Sequence, residues 1–185
     1  MTRVTLIGLG EVGMVFAEDL AAGGHTDLVA WDVAFADPDS PATRAAAVLP
    51  VAMAGSAGTA VRGAGLVVSA VTAANCHQAA AATAPGLDPG AWFFDLNSSS
   101  PGHKRQAARA VEQAGGRYVE AALMSPIAAR RLGSPSCSAA RTRPGSRRPP
   151  PRGASPASPC TRRRSAAPPR ASSAVRSSPR GSSPC

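Results

Sequence analysis

The sequence predicts an α/β fold, a doubly wound parallel sheet followed by a disordered C-terminal tail. Three observations predict it. Short β-rich runs alternate with helix-length segments, a glycine loop joins the first run to the first helix, and residues 137–185 hold almost no large apolar side chain.

The first run, Val4 to Ile7, leads into GLGEVG. Met14, Val15 and Leu20 then fit a helix that Gly23 and Gly24 stop. DLVAWD is a second strand. A Pro- and Asp-bearing connection precedes the Ala-rich TRAAAVLP, a short helix, and VAMA is a weak strand. After a further helical turn, LVVSAV (Leu66 to Val71) carries no charge and is rich in Val, the pattern of a strand buried on both faces. AANCHQAAAATAPG reads as a helix ending at Pro85-Gly86, and AWFFDL as a strand. The next helix has clear punctuation: Ser100 as N-cap, Pro101 in the first turn, Gly115-Gly116 as the stop. RYVEAALM is the last strand. Strands and helices alternating in this way build a Rossmann-like sheet covered on both faces.

The charge is divided as sharply as the hydropathy. Residues 1–136 carry eight Arg, one Lys and eleven acidic residues, a balance of −2. Residues 137–185 carry eleven Arg and no acid, and the whole chain stands at +9. The front is therefore a mildly acidic domain, 1–136, long enough to bury a core. The tail, 137–185, has a single large aliphatic residue, Val175. Ordering it would cost about 1–2 kcal/mol per residue with nothing apolar to bury in return, so it is expected to be disordered. It lacks aromatic residues for base stacking, which argues against a nucleic-acid partner.

Cys76 reads as a small buried hydrophobe. The other cysteines, Cys137, Cys160 and Cys185, show no metal-ligand spacing, and no metal is expected. The apolar run after Arg3 is too short for a signal peptide and no stretch is long enough to span a membrane, so a cytoplasmic location is expected.

Gly8, Gly10 and Gly13 form GxGxxG between a strand and a helix. Gly8 permits the tight turn, Gly10 lets backbone approach a pyrophosphate, and Gly13 lets helix and strand pack closely. Leu9, Glu11 and Val12 complete a loop whose N–H groups, with the helix dipole, favour phosphate. Asp32 closes the second strand nineteen residues after Gly13, where an acidic residue binds the ribose hydroxyls. Its carboxylate favours NAD over NADP, since Val33, Ala34 and Phe35 offer no cation for a 2′-phosphate. The alternative for Asp32 is a strand-end turn residue, which leaves NADP open. Val71 and Thr72 end the central strand where the nicotinamide would lie, and Thr72 equally suits an N-cap. In DLNSSSPG, Asn97, Ser98 and Ser99 offer an amide and hydroxyls for a substrate carboxylate, or merely cap the helix that follows.

RVTLIGLGEVG, AWFFDLNSSSPGHKR and GGRYVEAALMSPI together resemble the β-hydroxyacid dehydrogenase family, which includes 3-hydroxyisobutyrate and 6-phosphogluconate dehydrogenases. The resemblance covers residues 3 to 135. It implies an NAD(P)-dependent oxidoreductase in which the glycine loop holds the cofactor and the segment D-x-S-[ST]-x-x-P binds a small hydroxyacid-type substrate. Asp95, Ser98 and Pro101 match that segment, while Asn97 replaces its first serine. VEAALMSP is only loosely similar to the family's D-A-P-V-S-G-G, with Glu120 in place of the aspartate.

The resemblance also implies a catalytic lysine on a later helix and a helical dimerisation domain. Lys104 is the single lysine in the chain, and beside His103 and Arg105 it reads as part of a solvated face. No catalytic residue is therefore assigned, and the expectation is dinucleotide binding without turnover. Past Gly133 the family pattern breaks at Ser134 to Cys137 into Arg, Pro, Ser, Ala and Gly, the mixture a GC-rich gene yields when read out of frame. A frameshift near residues 134–138 is expected, and the gene's nucleotide sequence tests it. The alternative is an authentic basic tail on a non-enzymatic nucleotide-binding module, docking to nucleic acid or an acidic partner.

Overall fold

The structure is a computed structural model that describes residues 2–123 and 136–140. Seven strands form one sheet: β1 (Arg3–Ile7), β2 (Leu28–Trp31), β3 (Ala52–Met53), β4 (Ala64–Ser69), β5 (Trp92–Asp95), β6 (Arg117–Leu123) and β7 (Ser136–Ala140). Their order is β3-β2-β1-β4-β5-β6-β7. The first six run parallel, as expected, and β7 pairs antiparallel with β6. Residues 137–140, assigned to the tail from their composition, are therefore strand here. A sheet edge presents unpaired backbone N–H and C=O groups, and a strand can satisfy them without large side chains. Residues 141–185 lie outside the described residues, as do Met124, Ser125 and Pro126 of the third family-like segment.

Five helices connect the parallel strands: α1 (Glu11–Ala22), α2 (Pro41–Val48), α3 (Ala57–Ala60), α4 (Cys76–Thr83) and α5 (Pro101–Gln113). Successive strand residues point to opposite faces, and the core divides accordingly. Leu6 and Val68 join Ala17 of α1 with Ala42 and Ala46 of α2 in one cluster. Ile7 and Val67 join Phe93 with Ala80 of α4 and Ala107 and Val111 of α5 in the other. Helices therefore cover both faces of the sheet, and the central strands are mostly apolar on both faces, which is why the Leu66–Val68 run of β4 shows no polar alternation.

The chain after β3 passes back to β4 beside β1, so the direction of winding reverses between β1 and β4. In open sheets of this kind, ligands lie outside the carboxyl ends of the strands at that reversal. The glycine loop after β1 and the loops after β2, β4 and β5 all open there. A shallow cleft of about 530 Å³ at the opposite edge, lined by Arg3, Asp27, Gly63 and Asp88 among others, gathers none of the predicted site residues.

Candidate dinucleotide and substrate site

The three loop glycines do three separate jobs. Gly8 has φ +94, and a Cβ there would lie 2.4 Å from the Ala70 carbonyl oxygen, so only glycine turns the chain against the end of β4. A Cβ on Gly13 would lie 2.1 Å from the Gly8 carbonyl oxygen, which is how closely α1 packs on the loop. A Cβ on Gly10 would meet nothing within 4 Å. Gly10 thus faces open space at the N-terminus of α1, with room for a group that a side chain would obstruct.

That N-terminus is left open. Serines cap α2, α3 and α5 through Ser40, Ser56 and Ser100, whereas α1 after Gly10 and α4 after Asn75 have no side-chain cap. The first N–H groups of a helix have no partner within it, so those of Glu11, Val12 and Gly13 are free of intrahelical bonds and carry the positive end of the dipole. Val12 is half-buried and Glu11 exposed, so their contribution to an anion is through backbone.

Asp32 reaches this loop from the end of β2. One carboxylate oxygen accepts from the Leu9 N–H at 2.7 Å and the other from the Ala34 N–H at 2.9 Å. Asp32 therefore has the strand-end turn role that was the alternative for it, and in addition a bond to the glycine loop that the sequence did not announce. Its side chain caps the turn Val33–Ala36 while holding the glycine loop against β2. Val33 beyond it is exposed. Across the loop, Val71 is half-buried and lies against the Gly8 backbone. Thr72 occupies an N-cap position before Ala73–Asn75 but makes no capping hydrogen bond, and is exposed toward the same crevice edge.

The loop after β5 is organised differently from its sequence. Ser98 is exposed, but Asn97 is buried, 4% exposed. Its side-chain amide donates to Asp95 Oδ1 at 2.6 Å and to Ser69 Oγ at 3.1 Å, and its backbone N–H donates to Asp95 Oδ1 at 3.0 Å. The Ser99 hydroxyl is buried beside the Cys76 thiol. Ser100, by contrast, caps α5 through the His103 N–H at 3.3 Å, as its place before Pro101 predicts.

Lys104 corrects the sequence reading outright. It lies on no solvated face and is 5% exposed. Its Nζ sits 3.1 Å from Asp95 Oδ2 and 3.9 Å from Glu120 Oε1. The signal was available: Lys104 stands three, four and seven residues before Ala107, Ala108 and Val111, the buried stripe of α5. Its charged neighbours His103 and Arg105 lie on other faces of the same turn. Asp95, itself 1% exposed, also accepts from Tyr118 Oη at 2.5 Å and from Cys76 Sγ at 3.2 Å. Cys76 is buried as expected, yet it joins a polar cluster as well as the apolar core.

Burial pushes the Cys76 thiol up from its ordinary 9.0 to about 11, with Asp95 adding to the effect, and burial followed by Asp95 raises the Tyr118 phenol above its usual 10.0. Both groups hold their proton more tightly folded than unfolded. They therefore stabilise the fold fully below about pH 9, and that contribution is lost as pH rises through about 11. Urea denaturation should show constant stability from neutral pH to about 8 and a decline above about 9. Cys76→Ala and Tyr118→Phe should each flatten that decline; an unchanged slope in both variants would refute the assignment.

Residues 3–125 match the NAD binding domain of 6-phosphogluconate dehydrogenase. The chain belongs to that family. The match spans β1 to β6 and includes the glycine loop, Asp32 and the β5 loop described above. The domain superposes on a conserved protein from Sinorhizobium meliloti 1021 with a TM-score of 0.67 and 32% identity. It covers 75% of this chain and 46% of that one. The protein MTH1747, whose structure is described as similar to 3-hydroxyacid dehydrogenases, gives 0.62 and 26%, covering 74% and 49%. Mycobacterium tuberculosis 3-hydroxyisobutyrate dehydrogenase, solved with L-serine, gives 0.64 and 22%, covering 74% and 46%, a likeness of fold. The chain thus spans just under half the length of these structures. No curated protein matches it. Among the described residues no helix is long and apolar enough to cross a membrane, and no group of three or more His, Cys, Asp or Glu could hold a metal ion.

Proposed function

We propose that residues 1–136 form the cofactor half of an oxidoreductase that takes NAD in preference to NADP and acts on a small hydroxyacid or a related carbonyl compound. The observation that carries the reading is the uncapped N-terminus of α1 behind Gly10, where a Cβ would meet nothing, with the Asp32 carboxylate beside it. Those groups suit a dinucleotide: backbone N–H groups for the pyrophosphate and a carboxylate for ribose hydroxyls. When bound, the nicotinamide supplies the hydride acceptor or donor. Val71 and Thr72 border its end of the crevice. Ser98, exposed at the carboxyl end of β5, is the side chain of the DLNSSS segment best placed to meet a substrate carboxylate, with Asn97 holding the segment from beneath. The relative solved with L-serine, itself a 3-hydroxy acid, supports that substrate class.

On this reading the chain binds dinucleotide but turns over slowly. Lys104 is its single lysine and is held in an ion pair with Asp95, so no free lysine serves the hydroxyl proton.

The test is calorimetric titration of the 185-residue chain with NAD and with NADP. NAD should bind more tightly, and Asp32→Asn should narrow the gap by about tenfold, roughly the value of a charge-assisted hydrogen bond. Preferential binding of NADP by the unaltered chain would refute the role given to Asp32, and binding of neither would refute the reading as a whole.

A further inference from the structure

We propose that Lys104 is a positioning residue: held against Asp95, it closes the loop from β5 to α5 and thereby sets the Asn97–Ser99 edge that faces the substrate. The inference rests on the substrate-site reading for its purpose, but not for its geometry. Asp95 ends β5 and Lys104 lies in the second turn of α5, so the contact joins the two ends of the connecting loop. The contact is double: Lys104 Nζ meets Asp95 Oδ2 at 3.1 Å and the Asp95 backbone carbonyl at 3.5 Å. The other carboxylate oxygen, Oδ1, receives both N–H groups of Asn97. One carboxylate therefore has a divided function, with Oδ2 turned to Lys104, Tyr118 and Cys76 and Oδ1 turned to the loop.

The direction of effect follows from that division. A carboxylate rotates about its Cβ–Cγ bond, and its rotation here is fixed by the three donors on Oδ2 together with those of Asn97 on Oδ1. Tyr118 enters from β6 and Cys76 from the start of α4, both neutral donors to the carboxylate, while Lys104 brings its one close cation. Glu120, in register with Asp95 on β6, lies 3.9 Å from the same ammonium and limits where it can sit. Release Lys104 and Oδ2 loses its cationic partner, Asp95 gains rotational freedom, and Asn97 loses a fixed acceptor. Ser98 then loses a defined direction, although no residue touching it has changed.

Amide hydrogen exchange and NMR on the full 185-residue chain test this. In Lys104→Met the amides of Asn97, Ser98 and Ser99 should exchange about tenfold faster, and the Asn97 side-chain amide signals should move, since they report its bond to Asp95. The amides of Val67 and Phe93 in the core should speed only by the factor that the measured loss of global stability accounts for, and the affinity for NAD should stay within about twofold of the unaltered chain. Lys104→Arg should restore slow exchange in the loop. Should Lys104→Met fold poorly, Lys104→Gln keeps an N–H donor at the end of the side chain, and the same selective loosening is expected. Acceleration at Val67 and Phe93 with none at Asn97, Ser98 and Ser99 would mean that Lys104 only holds the core together. An unmoved Asn97 signal would mean that it holds nothing in the loop. Either result overturns the proposal. Failure of the unaltered chain to bind NAD would instead sink the functional reading and leave this one standing.

Discussion

Gly13→Ala is expected to destabilise the fold severely, whereas Gly10→Val is expected to fold normally and lose its dinucleotide. The two glycines lie three residues apart in one motif, and their difference comes from what surrounds each Cβ direction. At Gly13 a methyl group would overlap the Gly8 carbonyl oxygen at 2.1 Å and crowd its carbon at 3.0 Å. Gly8 cannot retreat, because its own position against the Ala70 carbonyl already requires a missing Cβ and a positive φ. The strain must be relieved by lifting α1 off the sheet, where Ala17 is fully buried with Leu6 and Leu9. A loss of about 3 kcal/mol or more is expected, a large share of the 5–15 kcal/mol that typically holds a domain together. Gly10 has extended backbone, φ −75 and ψ −165, which valine adopts readily, and nothing lies within 4 Å of its Cβ direction. Its thermal midpoint should stay within a few degrees of the parent, while affinity for NAD falls about 100-fold or more. Thermal denaturation and calorimetric titration of the same preparations check both halves. If Gly10→Val binds NAD as the parent does, the pyrophosphate does not lie on this loop.

Asp95→Ala should be nearly as damaging, for an electrostatic reason. Removing the carboxylate strands the Lys104 ammonium, the Tyr118 hydroxyl, the Cys76 thiol and the Asn97 amide in a part of the protein where Asp95 itself is 1% exposed. Breaking a buried ion pair from one side costs about 3–5 kcal/mol, because the remaining charge has neither partner nor water. Glu120 lies near enough to soften this, but at 3.9 Å and half exposed it is a poor substitute. Asp95→Leu combined with Lys104→Met should recover much of the loss, since both charges go and the volume is roughly kept. Chemical denaturation followed through Trp31 and Trp92 measures each variant. A loss below about 1 kcal/mol in Asp95→Ala would show that the cluster is more solvated than its burial indicates.

Local pattern was enough wherever the structure is made of local interactions. The β-rich runs, the Gly23-Gly24 and Gly115-Gly116 stops and the Ser100 cap each depend on residues within a few positions, and they are found where the sequence places them, except that β4 runs Ala64–Ser69 and so ends before Val71 and Thr72. The glycine motif was legible for the same reason, its turn, helix start and Asp32 being set by spacing along one βαβ unit. Lys104 was misread because its charge was weighed above its helical phase, although its alignment with Ala107, Ala108 and Val111 was already visible. Asn97 could not have been assigned locally. Its side chain is turned inward between Asp95, two residues away but itself buried, and Ser69, which lies twenty-eight residues away on β4.

By itself, then, the sequence determined the α/β class, the order of the elements and the dinucleotide loop. Hydrophobic periodicity, capping and glycine placement are short-range properties that survive without the rest of the fold. Only the tertiary structure decided which polar residues face inward. Asp95, Cys76, Lys104 and Tyr118 come from four different elements, and no spacing along the chain announces that they share one carboxylate. Burial is a collective outcome of packing, and it converts residues that would be unremarkable in water into a cluster whose every member depends on the others.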